Sequence, residues 1–246
     1  MKRIDLNVDV AEGFPHDRAL MKFASSLNIC CGVHAGSPDI TQETIQLALD
    51  YGKRWGLHPG YPDPASMGRT PITLENARTY LESIFIQVRR WVDFAQPAYL
   101  KPHGAFYNDT AVKMPSGWEH PPKHEETGIY LNAFPGVHSL GMLLRLHRLP
   151  ILGLPGTAHV IVAARSGQGC FLEGFADRGY RSDGTLLPRS QPGAILQDLR
   201  TIRTQVRMLA TQVDSICLHG DTENCVEIAE AVYAALSDAG FEVSAR

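Results

Sequence analysis

Short apolar runs alternate with amphipathic segments of helical period along this chain, and that alternation restricts its fold more than any other feature. Most of the runs are apolar throughout, as expected for strands that helices cover on both faces of a parallel sheet. The alternation therefore predicts an α/β fold with parallel strands. Seven runs have the length and composition of buried strands: Arg3–Val10, Leu27–Gly32, Trp55–His58, Ala98–Lys101, Pro150–Leu154, Cys170–Phe175 and Ser215–Leu218.

Four helices between these runs are marked by their starting residues or by their periodicity. Ser37, which a proline follows, predicts the N-cap of a helix that runs to Gly52. Thr73 is the predicted cap of a second helix and Thr222 that of the last one, for which Gly240 is the predicted left-handed stop. We interpret the helical stripes as faces packed on the core. The stripe of the remaining helix is Ile195, Leu199, Ile202, Val206 and Leu209.

The length of 246 residues, with 44% hydrophobic residues, suits one barrel-sized domain that spans residues 1–246. No linker and no internal repeat divides the chain. Residues 108–128 interrupt the alternation of strands and helices, because they are rich in proline, histidine and charged residues and do not suit a regular helix. We interpret this stretch as a surface excursion, and the pattern leaves open whether it is a lid over a site or a solvated loop.

The charge balance excludes several classes of partner. The 23 Lys and Arg residues and 26 Asp and Glu residues give a net charge of -3, which disfavours binding to nucleic acid or to anionic membranes. No window approaches the roughly 18 uncharged residues of a membrane span. Asp5 and Asp9 lie where a signal peptide needs its apolar stretch, so we expect a soluble cytoplasmic protein. The five cysteines show no C-x-x-C spacing, which disfavours a disulfide scaffold and a thiolate zinc site.

Polar and ionisable residues cluster at the carboxyl ends of the predicted strands. Asp5, Asn7 and Asp9 have period two and therefore share one face of the first strand. In parallel α/β proteins these strand ends form a single rim, where ligands bind. We therefore expect the side chains to meet in one cavity. The residues that follow the later strands are His34, His58, Lys101, His103, Tyr107, Asp177, Arg178, Tyr180, His219 and Asp221, and Glu12 closes the first.

Each of these residues also has a structural interpretation. Burying a carboxylate costs several kcal/mol unless it is paired or binds a metal. The carboxylates of the first strand therefore either belong to a functional site or are held by structural hydrogen bonds. A single histidine fits a loop contact as well as a site, whereas four of them favour at least two in function. Lys101 at the rim can neutralise a substrate carboxylate or phosphate. Asp183-Gly184 followed by Arg189 is typical of a turn and a solvated cation.

Several catalytic classes lack their sequence motifs. The chain contains no G-x-x-x-x-G-K-[ST] loop and no G-x-G-x-x-G after a strand, so it has no recognisable nucleotide-binding loop of its own. It also contains no G-x-S-x-G motif, which disfavours a serine hydrolase. What remains is chemistry by carboxylate, histidine and lysine, with or without a divalent metal ion.

Seven motifs follow one another between residues 5 and 221, and in kind and order they resemble those of the LamB/YcsF family. A departure falls between Asn108 and His138, where the family has a helix and this chain has its Pro- and His-rich excursion. The motifs are Asp5-Leu-Asn-x-Asp9-x-x-Glu12-Gly, Asn28-Ile-x-Cys31-Gly-x-His34-Ala-Gly36, His58-Pro-Gly-Tyr61-Pro-Asp63 with Gly68-Arg69, Lys101-Pro-His103-Gly-Ala-x-Tyr107-Asn108, Phe175-Ala-Asp177-Arg178-x-Tyr180, Asp183-Gly-x-Leu-x-x-Arg189 and Cys217-x-His219-Gly-Asp221.

The resemblance implies an irregular seven-stranded (β/α) barrel, similar to the glycoside hydrolase and deacetylase barrels. It also implies the activity of a 5-oxoprolinase, the ATP-dependent opening of 5-oxo-L-proline to L-glutamate together with partner subunits B and C. ATP would then be a co-substrate handled with those partners, which agrees with the missing phosphate loop. A homo-oligomer is compatible with the same picture.

The expected roles follow from this chemistry. Asp9 or Glu12 is the expected general base, and His103 or His219 the expected proton donor. Lys101 and Arg178 are expected to counter charge on phosphate or carboxylate. Asp9 with His34 is the alternative site for a divalent metal ion. The residues expected to bind substrate are Asn7, His58, Tyr107, Asp177, Arg178 and Tyr180.

Two rival functions remain open at this point. One is a metal-dependent deacetylase or carbohydrate hydrolase that acts without ATP. The other is a non-catalytic subunit that binds a small acid and signals to a partner; it predicts stabilisation by the ligand without turnover.

Overall fold

A parallel sheet forms the centre of the computed structural model, which describes residues 2–113 and 135–245. The order of its hydrogen-bonded strands is β3-β2-β1-β6-β5-β4, and β7 pairs with the first residues of β1. All of these pairings are parallel. The strands are β1 (Lys2–Val10), β2 (Ser26–Cys30), β3 (Arg54–His58), β4 (Ile151–Gly153), β5 (Cys170–Phe175), β6 (Ser215–Leu218) and β7 (Phe241–Val243).

A short segment around Leu100 closes the sheet into a barrel. Leu100 forms parallel bridges to Leu57 of β3 on one side and to Ile151 of β4 on the other. The predicted strand over residues 98–101 is therefore present as a short bridging segment rather than as a regular strand. With this segment the ring has seven members, which confirms the predicted seven-stranded barrel. The short β7 is an addition that the sequence pattern did not reveal.

Helices surround the ring and bury their apolar faces against it. Fully buried side chains of the strands and helices form one large core, and a smaller cluster lies around Phe175 and Cys217. A short 3-10 helix covers Pro64–Ser66. The α-helices of the described residues are α1 (Asp17–Leu20), α2 (Pro38–Asp50), α3 (Ala77–Phe94), α4 (Gly104–Thr110), α5 (Pro135–His147), α6 (Ala158–Arg165), α7 (Leu199–Leu209) and α8 (Cys225–Asp238).

One predicted helix start and one predicted helix stop are confirmed. The hydroxyl of Ser37 accepts a hydrogen bond from the Ile40 amide at 3.2 Å and so caps α2. Gly240 follows α8 with a φ of +81°, the left-handed conformation that favours glycine.

Of the two predicted threonine caps, Thr222 is wrong, because it precedes a turn rather than the helix itself. Thr73 caps the turn that leads into α3: its hydroxyl accepts from the Asn76 amide at 3.3 Å and its amide donates to Asn76 Oδ1 at 2.7 Å, while the regular helix begins after Asn76. Asn224 is the N-cap of α8, and the Thr222 carbonyl accepts from the Cys225 amide at 3.1 Å. Helical periodicity alone does not reveal such a preceding turn.

The predicted apolar stripe of α7 holds except at its first position. Ile202 and Val206 are fully buried, whereas Ile195 is 37% exposed and forms an antiparallel bridge with Arg178 before the helix begins. Asp198 caps α7 through its carboxylate. The prediction of Ile195 as helical was wrong because the loop that carries it pairs with the segment after β5.

The predicted excursion begins later than expected. Residues 108–110 still belong to α4, and residues 135–138 already belong to α5. Residues 114–128 of the excursion lie outside the described residues. None of the helices that the structure describes is long and apolar enough to cross a membrane.

Candidate active site at the carboxyl ends of the strands

The carboxyl ends of the strands converge on one cavity of about 700 Å³. Asp9 lies at the end of β1 and His58 at the end of β3, while Lys101 follows the bridging segment and His219 follows β6. Lys101 Nζ lies 2.7 Å from Asp9 Oδ1, and His219 Nε2 lies 3.8 Å from Asp9 Oδ2. The expected meeting of these residues at one rim is therefore what the structure shows.

Asp9 and Lys101 form a buried ion pair at the base of the cavity. Burial raises the pKa of Asp9, but His58 and Lys101 lower it by more, so it lies well below its usual value. Burial lowers the pKa of Lys101, but Asp9 and Cys217 raise it well above its usual value. Asn28 also donates to Asp9 Oδ1 at 2.7 Å. Both groups are therefore charged at neutral pH, and their pairing offsets the cost of burying them.

Backbone carbonyls determine which ring nitrogens of His58 and His103 carry a proton. His58 Nδ1 lies 2.8 Å from the Lys101 carbonyl, and His103 Nε2 lies 2.9 Å from the Met67 carbonyl. Because a carbonyl only accepts, both of these nitrogens must donate. The other two nitrogens, His58 Nε2 and His103 Nδ1, face each other at 2.9 Å. Two lone pairs at this distance repel unless a proton or a cation lies between them.

Two carboxylates complete the group around these nitrogens. Asp9 Oδ2 lies 3.3 Å from His58 Nε2, and Glu12 Oε1 lies 3.3 Å from His103 Nδ1. Glu12 Oε1 is buried and has no hydrogen-bond partner among the described residues. Ligand atoms of Asp9, Glu12, His58 and His103 all lie within 4.8 Å of one another. Two histidines held by backbone carbonyls and two carboxylates form a donor set that suits a divalent ion such as zinc.

His34, which the sequence suggested as a metal ligand together with Asp9, is not among these four donor residues. His34 Nε2 lies 3.5 Å from Glu12 Oε1 and 3.3 Å from the Cys30 sulfur, and its ring stacks on His103 at 3.8 Å. Burial lowers the pKa of His34, but Cys30 and Glu12 raise it by more, to about 9. His34 therefore packs against the cluster through Glu12 and His103, and metal binding by Asp9 with His34 stays a prediction.

A second acid–base arrangement faces the cavity from β6. His219 Nδ1 lies 2.9 Å from Asp177 Oδ1, and the His219 amide donates to Asp177 Oδ2 at 3.0 Å. Burial raises the pKa of Asp177, but His219 lowers it by more. The ionised carboxylate thus fixes the proton on Nδ1 and directs Nε2 towards Asp9. This arrangement orients an imidazole that is suited to transfer a proton.

Arginines surround the mouth of the cavity. Arg189, which the sequence suggested as a solvated cation, instead places Nη1 2.9 Å from Asp221 Oδ2. Arg69 Nη2 contacts the same oxygen at 2.6 Å. That interpretation of Arg189 was wrong because a turn signal does not show in which direction the following loop folds. Arg69 was not among the residues predicted for the site. Its position in the same motif as His58 and Gly68 was the sequence feature that could have indicated a role.

Four further residues of the predicted rim differ in how they lie relative to the cavity. Asn7 is fully buried, donates to Ser215 Oγ at 2.7 Å and lies beneath the residues that line the cavity. Tyr107 lines the cavity, whereas the Tyr180 hydroxyl accepts from the Phe175 amide at 2.6 Å. Asp5 accepts hydrogen bonds from neighbouring serine hydroxyls. Substrate binding by Asn7 and Tyr180 stays a prediction, and the contacts of Asp5 are structural.

Fold and site together define a parallel (β/α) barrel protein with a buried carboxylate, histidine and lysine site at the carboxyl ends of its strands. Residues 4–116 and 140–246 match the model of the LamB/YcsF family. The chain belongs to that family, as its motifs suggested.

Relatives match over the full length of the chain. A protein from Neisseria meningitidis that is named as the A subunit of 5-oxoprolinase is 36% identical over 263 residues, which cover 100% of both chains. One of the same name from Heliobacterium modesticaldum is 35% identical, covering 99% of this chain and 98% of its own. The crystal structure of a lactam utilization protein from Thermus thermophilus has 27% identity and a TM-score of 0.75, covering 99% of this chain and 100% of that one. This similarity supports the barrel as the family's fold.

Proposed function

We propose that this chain is one component of an ATP-dependent 5-oxoprolinase, which hydrolyses the lactam of 5-oxo-L-proline to L-glutamate with partner subunits B and C. The observation that carries the proposal is the cavity itself. It brings together a carboxylate, an oriented histidine and a buried lysine in a chain whose full-length relatives are named for this activity.

Lactam hydrolysis has two obstacles, the resonance of the amide and its poor nitrogen leaving group. Phosphorylation of the lactam oxygen removes the first, because it leaves an imidate-like carbon that water can attack. This chain contains no recognisable phosphate loop, so we assign the phosphorylation to the partner subunits. The barrel then performs the second half, in which water attacks the activated carbon and the ring opens.

Asp9 is the carboxylate of the cluster that reaches the substrate. Asp9 lines the cavity and Glu12 does not, so Asp9 Oδ2 is placed to accept a proton from the attacking water. Its pKa is held well below its usual value, which makes it a weak base by itself. An activated lactam carbon or an activated water molecule is therefore needed. Glu12 lies behind the histidines and orients them.

His219 suits the role of proton donor better than His103. Burial and the neighbouring His34 and His58 hold the pKa of His103 well below its usual value, and its Nε2 proton is already given to Met67. His219 lines the open cavity, and the hydrogen bond between its Nδ1 and Asp177 fixes the orientation of its ring. Nε2 can therefore deliver a proton to the leaving nitrogen.

The four-residue cluster would hold a divalent ion through Asp9, Glu12, His58 and His103. Such an ion would supply Lewis-acid activation of the attacking water. Lys101 keeps Asp9 ionised in either case and places a positive charge beside the reacting atoms.

The test uses Asp9→Asn and Lys101→Ala, each purified and combined with both partner subunits. We expect ATP-dependent release of glutamate to fall at least about 100-fold in both variants, because each removes one member of the buried pair. Asp93→Asn and Lys22→Ala, which change exposed residues of the same types, serve as controls. Activity near that of the wild type in both site variants would end the assignment.

The metal-donor cluster favours one alternative function, a metal-dependent deacetylase or carbohydrate hydrolase that needs no ATP. This alternative predicts turnover by the chain alone and inhibition by a chelator. The reconstituted assay separates the two, since only the first function requires ATP and partner subunits.

A further inference from the structure

A buried arginine without an acidic partner lies in the wall of the cavity. Arg178 is 6% exposed, and its two hydrogen bonds go to the Ala194 and Leu187 carbonyls at 3.0 and 2.7 Å. Within residues 2–113 and 135–245, no carboxylate forms an ion pair with its guanidinium. Burial lowers the pKa of Arg178 to about 10, and the like charges of Arg189 and Arg69 contribute to this. Asp177 and Asp221 oppose this effect without pairing directly with Arg178, so a bound anion would stabilise the buried cation further.

The two neighbouring arginines are held in place by one carboxylate. Arg69 precedes α3 and Arg189 precedes α7, and both guanidinium groups contact Asp221 Oδ2, at 2.6 and 2.9 Å. The side chain of Asp221 is 7% exposed, while those of Arg69 and Arg189 are 29% and 22% exposed. Asp221 therefore joins two loops across the mouth of the cavity and leaves both arginines in contact with its solvent.

The charges of this group do not cancel. Arg69, Arg178 and Arg189 against Asp221 leave two positive charges, and Asp177 is hydrogen-bonded to His219 rather than to any of these arginines. Six Lys and Arg side chains but only two Asp side chains line the described part of the cavity, although the chain as a whole has a net charge of -3. The excess positive charge is thus concentrated at the cavity, where it would attract an anion.

We infer that Arg69, Arg178 and Arg189 form a binding site for a phosphoryl group, with Asp221 as the residue that positions two of them. A phosphoryl dianion matches the two uncompensated charges, and planar guanidinium groups suit its oxygens. A single carboxylate needs only one such group. The inference rests on the proposed function only in that both place a phosphorylated ligand in this cavity.

Binding of simple anions to the full-length chain tests this site without any turnover. Isothermal titration calorimetry at low ionic strength would compare inorganic phosphate, pyrophosphate, ATP and acetate. We expect the phosphate-bearing probes to bind the wild type, and the double variant Arg69→Gln with Arg189→Gln to bind them at least tenfold more weakly, since it loses two charge-assisted contacts. Arg203→Gln, on the exposed face of α7, removes the same charge elsewhere and should bind as the wild type does.

Two further comparisons identify the source of the phosphoryl group and keep the test valid if the double variant does not fold. ATP that binds more tightly than inorganic phosphate through the same arginines supports a nucleotide, and equal binding supports a phosphorylated substrate. If the double variant does not fold, Arg189→Gln alone should weaken binding at least threefold, and Arg189→Lys should restore part of it.

Several results would overturn the inference. They are no binding of phosphate or pyrophosphate by the wild type, equal binding by the double variant, or acetate binding with the same dependence on these arginines. Anion binding that depends on these arginines, with no glutamate release in the reconstituted assay, would support this site and contradict the proposed function. Glutamate release without anion binding would support the proposed function and contradict the anion site.

Discussion

The hydrogen-bond partners of single side chains decide what the cluster at the base of the cavity can bind. His58 and His103 each give one ring proton to a backbone carbonyl, so their remaining nitrogens present lone pairs to the same point. A histidine that ligates a metal characteristically has its other nitrogen fixed in this way. The sequence placed both histidines at the rim but could not show which atom each directs inward, because that depends on the distant carbonyls of Lys101 and Met67.

Metal content is the first prediction at this scale. We expect the purified wild type to carry a divalent metal ion near one equivalent, and Glu12→Gln or His103→Gln to lower metal affinity at least tenfold, since each removes one of four donors. Elemental analysis after dialysis against a chelator and readdition of zinc measures this. Glu82→Gln, at an exposed position of α3, is the matched control. A wild type that binds no metal after readdition would show that a shared proton, rather than a cation, occupies the cluster.

Helix α6 carries a buried histidine that has no part in the proposed chemistry. His159 Nδ1 accepts from the Leu154 amide at 3.1 Å, and Nε2 lies 2.9 Å from the Thr110 hydroxyl. It therefore ties α6 to the end of β4 and to α4. Burial lowers the pKa of His159 from 6.5 to about 3, so it is neutral in the folded protein.

His159 makes the free energy of unfolding depend on pH. The pKa of His159 is lowered on folding, so the unfolded chain binds the extra proton; stability is fully present above pH 6.5 and is lost as the pH falls towards 3. Between pH 6.5 and 5 the titration of this single group lowers the free energy of unfolding by about 2 kcal/mol. We expect urea unfolding of His159→Gln to depend less on pH in this window than unfolding of the wild type. His138→Gln, exposed on α5, should keep the wild-type slope, and equal slopes in all three proteins would contradict the prediction.

At the scale of the whole molecule, the parts of the fold that could be predicted are those that depend on local pattern. Continuous apolar runs predicted the barrel strands, and parallel strands place their carboxyl ends on one rim, so Asp9, Lys101 and His219 were expected to meet. The short β7 was missed because three residues with one glutamate carry little pattern. The 2.9 Å contact between His58 and His103 depends on how the barrel curves, and the position of Arg189 on how a loop folds back; neither is encoded locally.

The closure of the barrel leads to the last prediction. β1 and β2 are joined by a ladder of four residue pairs, whereas β3 and β4 are joined through the short segment around Leu100, which forms one bridge to each of them. Three backbone hydrogen bonds join the segment to β3, but only two join it to β4, from the Leu100 amide to the Pro150 carbonyl at 2.9 Å and from the Leu152 amide to the Leu100 carbonyl at 3.0 Å. Local opening should therefore begin at this seam, since few neighbouring bonds must break with it.

Amide hydrogen exchange followed by mass spectrometry measures this difference. We expect the amides of Leu100 and Leu152 to exchange about tenfold faster than those of Leu27 and Ile29 in β2. Leu152, Leu27 and Ile29 are all fully buried, so exposure does not account for a difference among them. Equal protection at the seam and in β2 would mean that the barrel opens only as a whole. Because Lys101 lies at the seam, faster exchange there would also place the reactive end of the cavity next to the part of the barrel that opens most readily.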